Sequence, residues 1–545
     1  MNSIPWLTLL LVVPVGTVLV LQVLPRRATA LIKAVTVAGT LANAAIVAGL
    51  LVAFDRAPGT KAYALPQGGS HAAPLTFQFQ EFHTWVPAIG AGYHVGIDGL
   101  SAWLLALDAG LFLLAAVVVS SRDTERLKLF CGLLLLAEGA TMGVLLSLDL
   151  LLFYFFWEGM LIPLYFLLGF WGGPERGRAT LKFVVYTVAG SLLMLLSIIY
   201  IYFDQTATAS GHLTFDLQAL ILNPTPTHDV VGFSAFGQHV SLLLTPRQFA
   251  FVGFALAFLI KVPIFPFHTW LPDSYVNAPV AVLVFFAGIV GKLGAFAFVR
   301  YALTLFPGRV QDFHYVIAAL AVISIIYGAL LALSQRDIKR LVAYASMSHL
   351  GYIVLGIFVL NANGLNGSIL QIINHGIIIA ALFLIVAMIE ARTGTRDLRE
   401  LGGLEKRMPW FYAFFLVTTL AALSMPGTNG FAGEFTILLG AFTATWALAA
   451  FAFIGTLLAA WYMLRLHQGV MHQPLTPRGE AVRDIRITEG LILAPLAALM
   501  ILLGVFPKPV GDISKATVNQ YVSIATGTQP TLGAPQAVAP PAEAG

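Results

Sequence analysis

Leu259-Ile260-Lys261-Val262-Pro263-Ile264-Phe265-Pro266-Phe267-His268 sets a lysine and two prolines inside an apolar run, and the fold follows from that conflict. If a membrane span begins near Arg247, Lys261 lies roughly 21 Å along a helix axis, well inside a hydrocarbon core about 30 Å thick. Pro263 and Pro266 end the helix just beyond it, because proline lacks the N–H and clashes with the preceding turn. Backbone opened at that depth is tolerated only where it is buried in protein or lines a water-filled cavity, so the breaks imply a hydrated site beside the lysine. Gly288-Ile289-Val290-Gly291-Lys292-Leu293-Gly294 then carries a second lysine, Lys292, about 20 Å into the next apolar run. Two mid-membrane lysines on neighbouring helices point to ion or proton movement.

Working outward, 58% of the 545 residues are hydrophobic and 10% are charged, where soluble domains carry about 25% charged residues. This is the composition of an all-α polytopic membrane protein. The net charge of +4 does not indicate a nucleic-acid partner, since the basic residues fall in short loops and form no patch. The single cysteine, Cys131, excludes a disulfide, a cysteine-ligated iron–sulfur cluster and a C-x-x-C-H haem site, and reads as a small buried hydrophobe. No G-x-G-x-x-G follows a strand, and Gly288-Ile289-Val290-Gly291-Lys292 is too short for a phosphate loop, so no nucleotide site is expected.

Fourteen spans are expected, at 4–24, 31–54, 98–120, 129–147, 150–171, 181–203, 247–268, 279–301, 314–333, 339–360, 367–391, 409–443 (broken), 446–466 and 488–506. The apolar N-terminus lacks a basic n-region and reads as a retained span. The loops after spans 1, 3, 5, 9, 11 and 13 hold 21 of the 30 lysines and arginines, against seven, Arg300 among them, on the other side. That asymmetry places both termini outside. Segments 55–97 and 204–246 read as outside surface loops, and 507–545 as a C-terminal tail disordered at its Pro/Ala-rich end.

A second interruption, Ser424-Met425-Pro426-Gly427-Thr428-Asn429-Gly430, matches the Pro263/Pro266 break in position. Interrupted helices in corresponding places suggest two inverted five-span repeats, 129–301 and 314–466, after an N-terminal unit 1–128 and before span 14 at 488–506.

The buried ionisable residues are few. Glu158, in Phe155-Phe156-Trp157-Glu158-Gly159, needs protonation, a partner or water, and a lysine is the simplest partner; a static pair that fixes helix packing is the competing reading. His349 and His375 suit a proton relay because histidine titrates near neutrality, and a satisfied core histidine is the alternative for each. They lie on different spans with no further His/Cys cluster, which argues against a metal site. Glu434 follows the twelfth-span break and continues the line of charge. Asp108, Glu138, Asp149 and His268 stay unassigned; Asp149 could simply cap a helix.

At these residues the chain resembles the subunit M family of bacterial NADH:quinone oxidoreductase, respiratory complex I, counterpart of mitochondrial NADH dehydrogenase subunit 4. The resemblance covers roughly residues 95–505. It rests on Phe156-Trp157-Glu158, Lys261-Val262-Pro263, His268-Thr269-Trp270-Leu271-Pro272-Asp273, Gly291-Lys292, Ser346-Met347-Ser348-His349-Leu350-Gly351, Asn374-His375-Gly376 and Met425 through Phe435. It implies an antiporter-like subunit of the membrane arm in the bacterial inner membrane, translocating protons while electrons travel elsewhere. The subunit itself would hold no cofactor; NAD, FMN, iron–sulfur clusters and quinone belong to partner membrane-arm and peripheral-arm subunits. It further implies that Glu158 pairs with Lys261, that Lys292 is the central relay, that His349 and His375 continue the path, and that Glu434 stands at the exit half. Related antiporter-like subunits usually carry lysine at this last position. The alternatives are a multi-subunit cation/proton antiporter, a ferredoxin-driven photosynthetic complex and a membrane-bound hydrogenase.

Overall fold

In a computed structural model, residues 4–56, 75–204, 213–222 and 245–528 are described in full, and 62–64, 70–72, 232–235 and 238–241 by backbone alone. Twelve helices among them are long and apolar enough to cross a membrane. The first six are α1 (Trp6–Val23), α2 (Thr29–Ala53), α3 (Gly99–Ser120), α4 (Leu127–Leu146), α5 (Leu150–Trp171) and α6 (Arg176–Asp204). The seventh crossing is broken, with α7 (Pro246–Lys261) ending on the lysine and α8 (Trp270–Asn277) following eight non-helical residues that contain both prolines. Then come α9 (Val280–Leu305), α10 (Pro307–Ser334), α11 (Ile338–Phe358) and α12 (Ala362–Thr393). The second broken crossing is α13 (Pro409–Ala422) with α14 (Asn429–Ala444), and α15 (Trp446–Met471) and α16 (Ile487–Val505) complete the set. Twelve unbroken and two interrupted crossings account for the fourteen expected spans. The interruptions fall on the seventh and twelfth crossings.

Capping sets the entry of the elements around the site. Thr245 and Gln248 form a reciprocal box at the start of α7, with Pro246 in the first turn where its missing N–H costs nothing. Asp98 and Ser101 do the same for α3. The centre of the molecule is α9, α11 and α12, almost every residue of which is buried, whereas α1, α15 and α16 expose most of their surface. Helices that are apolar all round belong in the middle of a bundle, and these three carry Lys292, His349 and His375.

Three expectations need correction. Within 55–97, residues Gln78–Val86 (β1) and Ala91–Ile97 (β2) form an antiparallel hairpin rather than a loose loop. Asp149 accepts from Gly92 N at 3.0 Å as well as from Leu151 and Leu152 N, so it caps α5 and clamps the hairpin at once. Second, the segment after residue 507 contains a docked helix, α17 (Lys508–Thr526), whose buried Val510, Ile513, Ser514, Thr517, Val518, Tyr521 and Ala525 recur at helical spacing. Residues 529–545, and most of 55–74 and 204–246, fall outside the described residues. Third, Arg300 is no loop cation. It is fully buried in α9, where its Nη2 donates to Asp98 Oδ1 at 2.6 Å while Tyr521 donates to Asp98 Oδ2 at 2.7 Å. α17 thus supplies part of the polar closure of a charge that the sequence places near the end of a span.

Candidate functional site

Lys261 is the last helical residue of α7, and the break turns the chain away so that its side chain stays in the bundle, 1% exposed. Its Nζ has no hydrogen-bond partner and stands 5.1 Å from the centre of the Trp157 ring and 6.0 Å from that of Phe183. A cation over aromatic faces is held by the ring quadrupole. Glu158 is the carboxylate that acts on it electrostatically. The expected contact pair is corrected on one point: the two charges lie within electrostatic range but form no direct bond among the described ion pairs, and Glu158 Oε1 also lacks a partner. Glu158 is only partly buried and lines a groove of about 750 Å³ with Trp85, Phe155 and Tyr165. It therefore stands between the internal lysine and an open face of the subunit.

Lys292 sits where α9 departs from regular helix. Val290–Lys292 is a 3₁₀ turn, and the lysine folds back to donate from Nζ to the Ala287 carbonyl, completely buried. A mid-helix 3₁₀ turn is a place where helix geometry is under constraint, and here it directs an ammonium into the core. Two residues on, a Cβ on Gly294 would meet Val262 Cγ2 at 2.6 Å and the Phe258 carbonyl at 2.8 Å. Only glycine lets the Lys292 helix approach the Lys261 break so closely.

Beyond Lys292 come His375, His349 and Glu434. His375 is 2% exposed, neither ring nitrogen has a protein partner, and both Lys292 and His349 act on it electrostatically. Its ring centre is 5.6 Å from that of His349. His349 Nδ1 is 2.6 Å from Glu434 Oε1, and His349 Nε2 is 3.1 Å from the Tyr462 hydroxyl. Gln371 donates to Glu434 Oε1 at 3.1 Å. The structure thus orders the residues as Lys292, His375, His349, Glu434, with His375 ahead of His349. Glu434 lies on the first turns of α14, past the Pro426–Gly427 break, where Gly427 has φ +92° and Asn374 donates to Asn429 O at 2.6 Å.

Several buried polar atoms along this line lack a protein partner among the described residues: Lys261 Nζ, both nitrogens of His375, Gln371 Oε1, Asn374 Oδ1 and Glu434 Oε2. Buried polar atoms in native proteins are satisfied, and where the protein does not do it water does. Atoms of this kind at membrane depth are sites for bound water.

The residues left unassigned fall elsewhere. Asp108 accepts from Thr141 and Glu138 from Asn43, each at 3.2 Å, on α2, α3 and α4, with no hydrogen bond to the Lys292–Glu434 line among the described residues. His268 lies in the break against Phe265 and Tyr327. Asp273 of the Trp270–Asp273 motif ties α8 to Lys182 and Arg340 at 2.8 Å each. Sequence reasoning missed Gln371 and Tyr462. Gln371 had a signal, standing four residues before His375 on the same helical face; Tyr462, on another helix, had none.

Two broken crossings and a buried line of lysine, histidine and glutamate mark an antiporter-like polytopic membrane protein. The transmembrane family of NADH:quinone oxidoreductase and Mrp antiporters matches residues 147–459, and the chain belongs to that family. NADH-quinone oxidoreductase subunit M of Mycobacterium tuberculosis is 35% identical over an alignment of 553 positions that covers 96% of this chain and 95% of that one. A chain of respiratory complex I from Thermus thermophilus is 30% identical with TM-score 0.79, covering 96% of this chain and 100% of that one. A chain of the Mrp complex from Dietzia sp. shares the fold, with TM-score 0.78 at 22% identity over 97% of this chain and 100% of that one.

Proposed function

We propose that this chain is a proton-translocating membrane-arm subunit of an NADH:quinone oxidoreductase in a bacterial inner membrane, with both termini outside. Protons move along Glu158, Lys261, Lys292, His375, His349 and Glu434. Electron transfer from NADH to quinone takes place in partner subunits, which hold the NAD, FMN, iron–sulfur and quinone sites; this subunit acts as translocase without redox chemistry. The observation that carries the reading is the unbroken contact from His375 through His349 to Glu434, bordered by buried polar atoms that only water can satisfy.

In this reading Lys261 answers to Glu158 through the field alone. The two do not touch, so an approach or retreat of Glu158 changes their attraction continuously, as the inverse of distance, without breaking a bond. Movement of Glu158 at the open groove is then a means by which neighbouring subunits set whether Lys261 holds or releases its proton.

A multi-subunit cation/proton antiporter shares the fold and is the second reading, opposed by glutamate rather than lysine at position 434. Affinity purification of the tagged chain from mild detergent separates them. Flavin and iron–sulfur subunits copurify if the chain belongs to a redox complex. Recovery of small membrane subunits alone would assign it to an antiporter.

A further inference from the structure

The arginine-rich end of α15 carries titratable groups that the line above does not use. His472, the residue after the helix, has Nδ1 2.6 Å from Glu405 Oε2, with side chains 39% and 33% exposed. Its ring centre lies 5.4 Å from that of His467, which is only 3% exposed. His467 Nδ1 is 3.2 Å from Thr419 Oγ1 on α13, whereas its buried Nε2 has no partner among the described residues. Tyr412 flanks both histidines, at 5.5 Å and 5.6 Å, and Phe415 lies 4.7 Å from His467. Exposure therefore falls from about a third to almost nothing in one ring-to-ring step, between aromatic walls. Five residues back along α15, about 7.5 Å on its axis, the Tyr462 hydroxyl meets His349.

We propose that Glu405, His472 and His467 form a proton entrance from the arginine-rich face that joins the line at His349, ahead of the exit residue Glu434. The inference rests on the proton-transport reading above. Its ligand is the proton, delivered by bulk water or by a small buffer. The Glu405 carboxyl group orients the His472 ring at the surface. An imidazole that takes a proton on one nitrogen and gives one up from the other returns to its starting charge, so each ring passes protons inward without net change. The buried free nitrogen of His467 is the acceptor that a purely structural histidine, satisfied by Thr419, would not need.

The test uses inverted vesicles containing the whole complex, so that the arginine-rich face looks outward, with the initial NADH-driven rise in membrane potential as readout. Potential is chosen because imidazole crosses as the free base and would collapse a pH gradient. His467→Phe is expected to slow the rise by about a hundredfold, the lower end for loss of a positioned proton carrier, with restoration by imidazole added outside. His467→Gln, which keeps a hydrogen bond to Thr419 but carries no proton, is expected to show the same loss and rescue. It serves alone if the Phe variant does not assemble, assembly being measured by NADH reduction of ferricyanide. Normal rates in His467→Gln overturn the entrance in favour of a structural bond, and so does a loss that imidazole does not restore. If both His467 variants pump normally while Glu434→Gln does not, the entrance falls and the transport reading stands. If Glu434→Gln also pumps normally, it is the transport reading that has failed.

Discussion

Glu434→Gln tests the line at its most completely defined contact. The carboxyl group is 2% exposed, accepts from Gln371 at 3.1 Å and faces His349 Nδ1 at 2.6 Å, a close contact for a nitrogen–oxygen hydrogen bond. An amide has the same shape and still bonds both neighbours, so the packing of α14 against α11 and α12 is kept. What is lost is the difference between a hydrogen bond to a charged group, about 1.5–3 kcal/mol, and one to a neutral group, about 0.5–1.5 kcal/mol. A local loss of about 1–2 kcal/mol is too small to prevent assembly of a subunit with so large a buried core. Transport is different, because an amide cannot take up and release a proton near neutrality. The variant should assemble to parental levels yet show a reduced initial proton uptake per NADH oxidised, measured with a pH-sensitive dye in reconstituted vesicles. Unchanged uptake would refute the role of Glu434 and, with it, the contact chain on which the functional reading rests.

Glu158→Gln should leave assembly intact, since the carboxylate touches no partner charge, but slow pumping; reversing both charges as Glu158→Lys with Lys261→Glu should assemble and still not pump, and full recovery would return the two residues to a structural role. Arg300→Met strands Asp98 in a dry site and should cost about 3–5 kcal/mol, seen as a fall in subunit recovered from membranes; adding Asp98→Asn should restore part of it, and no difference between the single and double variants would dispose of the pair. Gly294→Val should push α9 off the Lys261 break for about 1–3 kcal/mol of overpacking, with pumping lost ahead of assembly in vesicle assays; normal pumping would show that the close approach does not matter. At the surface, hydrogen bonds from the Arg399 side chain and backbone hold Asp397 down to a pKa of about 2. Its folded value lies below the unfolded one, near 3.9, so its contribution to the turn after α12 is full above about pH 4 and lost as pH falls toward about 2. Amide exchange at Arg399 should accelerate across that window, and a flat profile would contradict it.

The sequence by itself determined the crossings, both breaks and the chemistry. Apolar runs of membrane length can only be helices in lipid, the closely spaced breakers Pro263/Pro266 and Pro426–Gly427 interrupt such runs where the single Pro14 and Pro495 do not, and an ionisable side chain there is costly. Those are local statements about one stretch of chain and its solvent, which is why Lys261, Lys292, His349, His375 and Glu434 are legible without coordinates. Contacts between stretches far apart in the chain are not local, and only the tertiary structure decided them. It set Glu158 near Lys261 without a bond, placed His375 between Lys292 and His349, and brought Gln371 and Tyr462 in as partners. It also turned two apparently loose segments into structure, the 78–97 hairpin and α17, because each buries a face against helices that are distant in sequence. Arg300 shows the limit most plainly. Near the end of an apolar run it looks like one more loop cation, and its burial depends on Asp98, 202 residues earlier, and Tyr521, 221 residues later. Desolvating a guanidinium is tolerated only when partners meet it in three dimensions, and no pattern within a single span records where those partners will be.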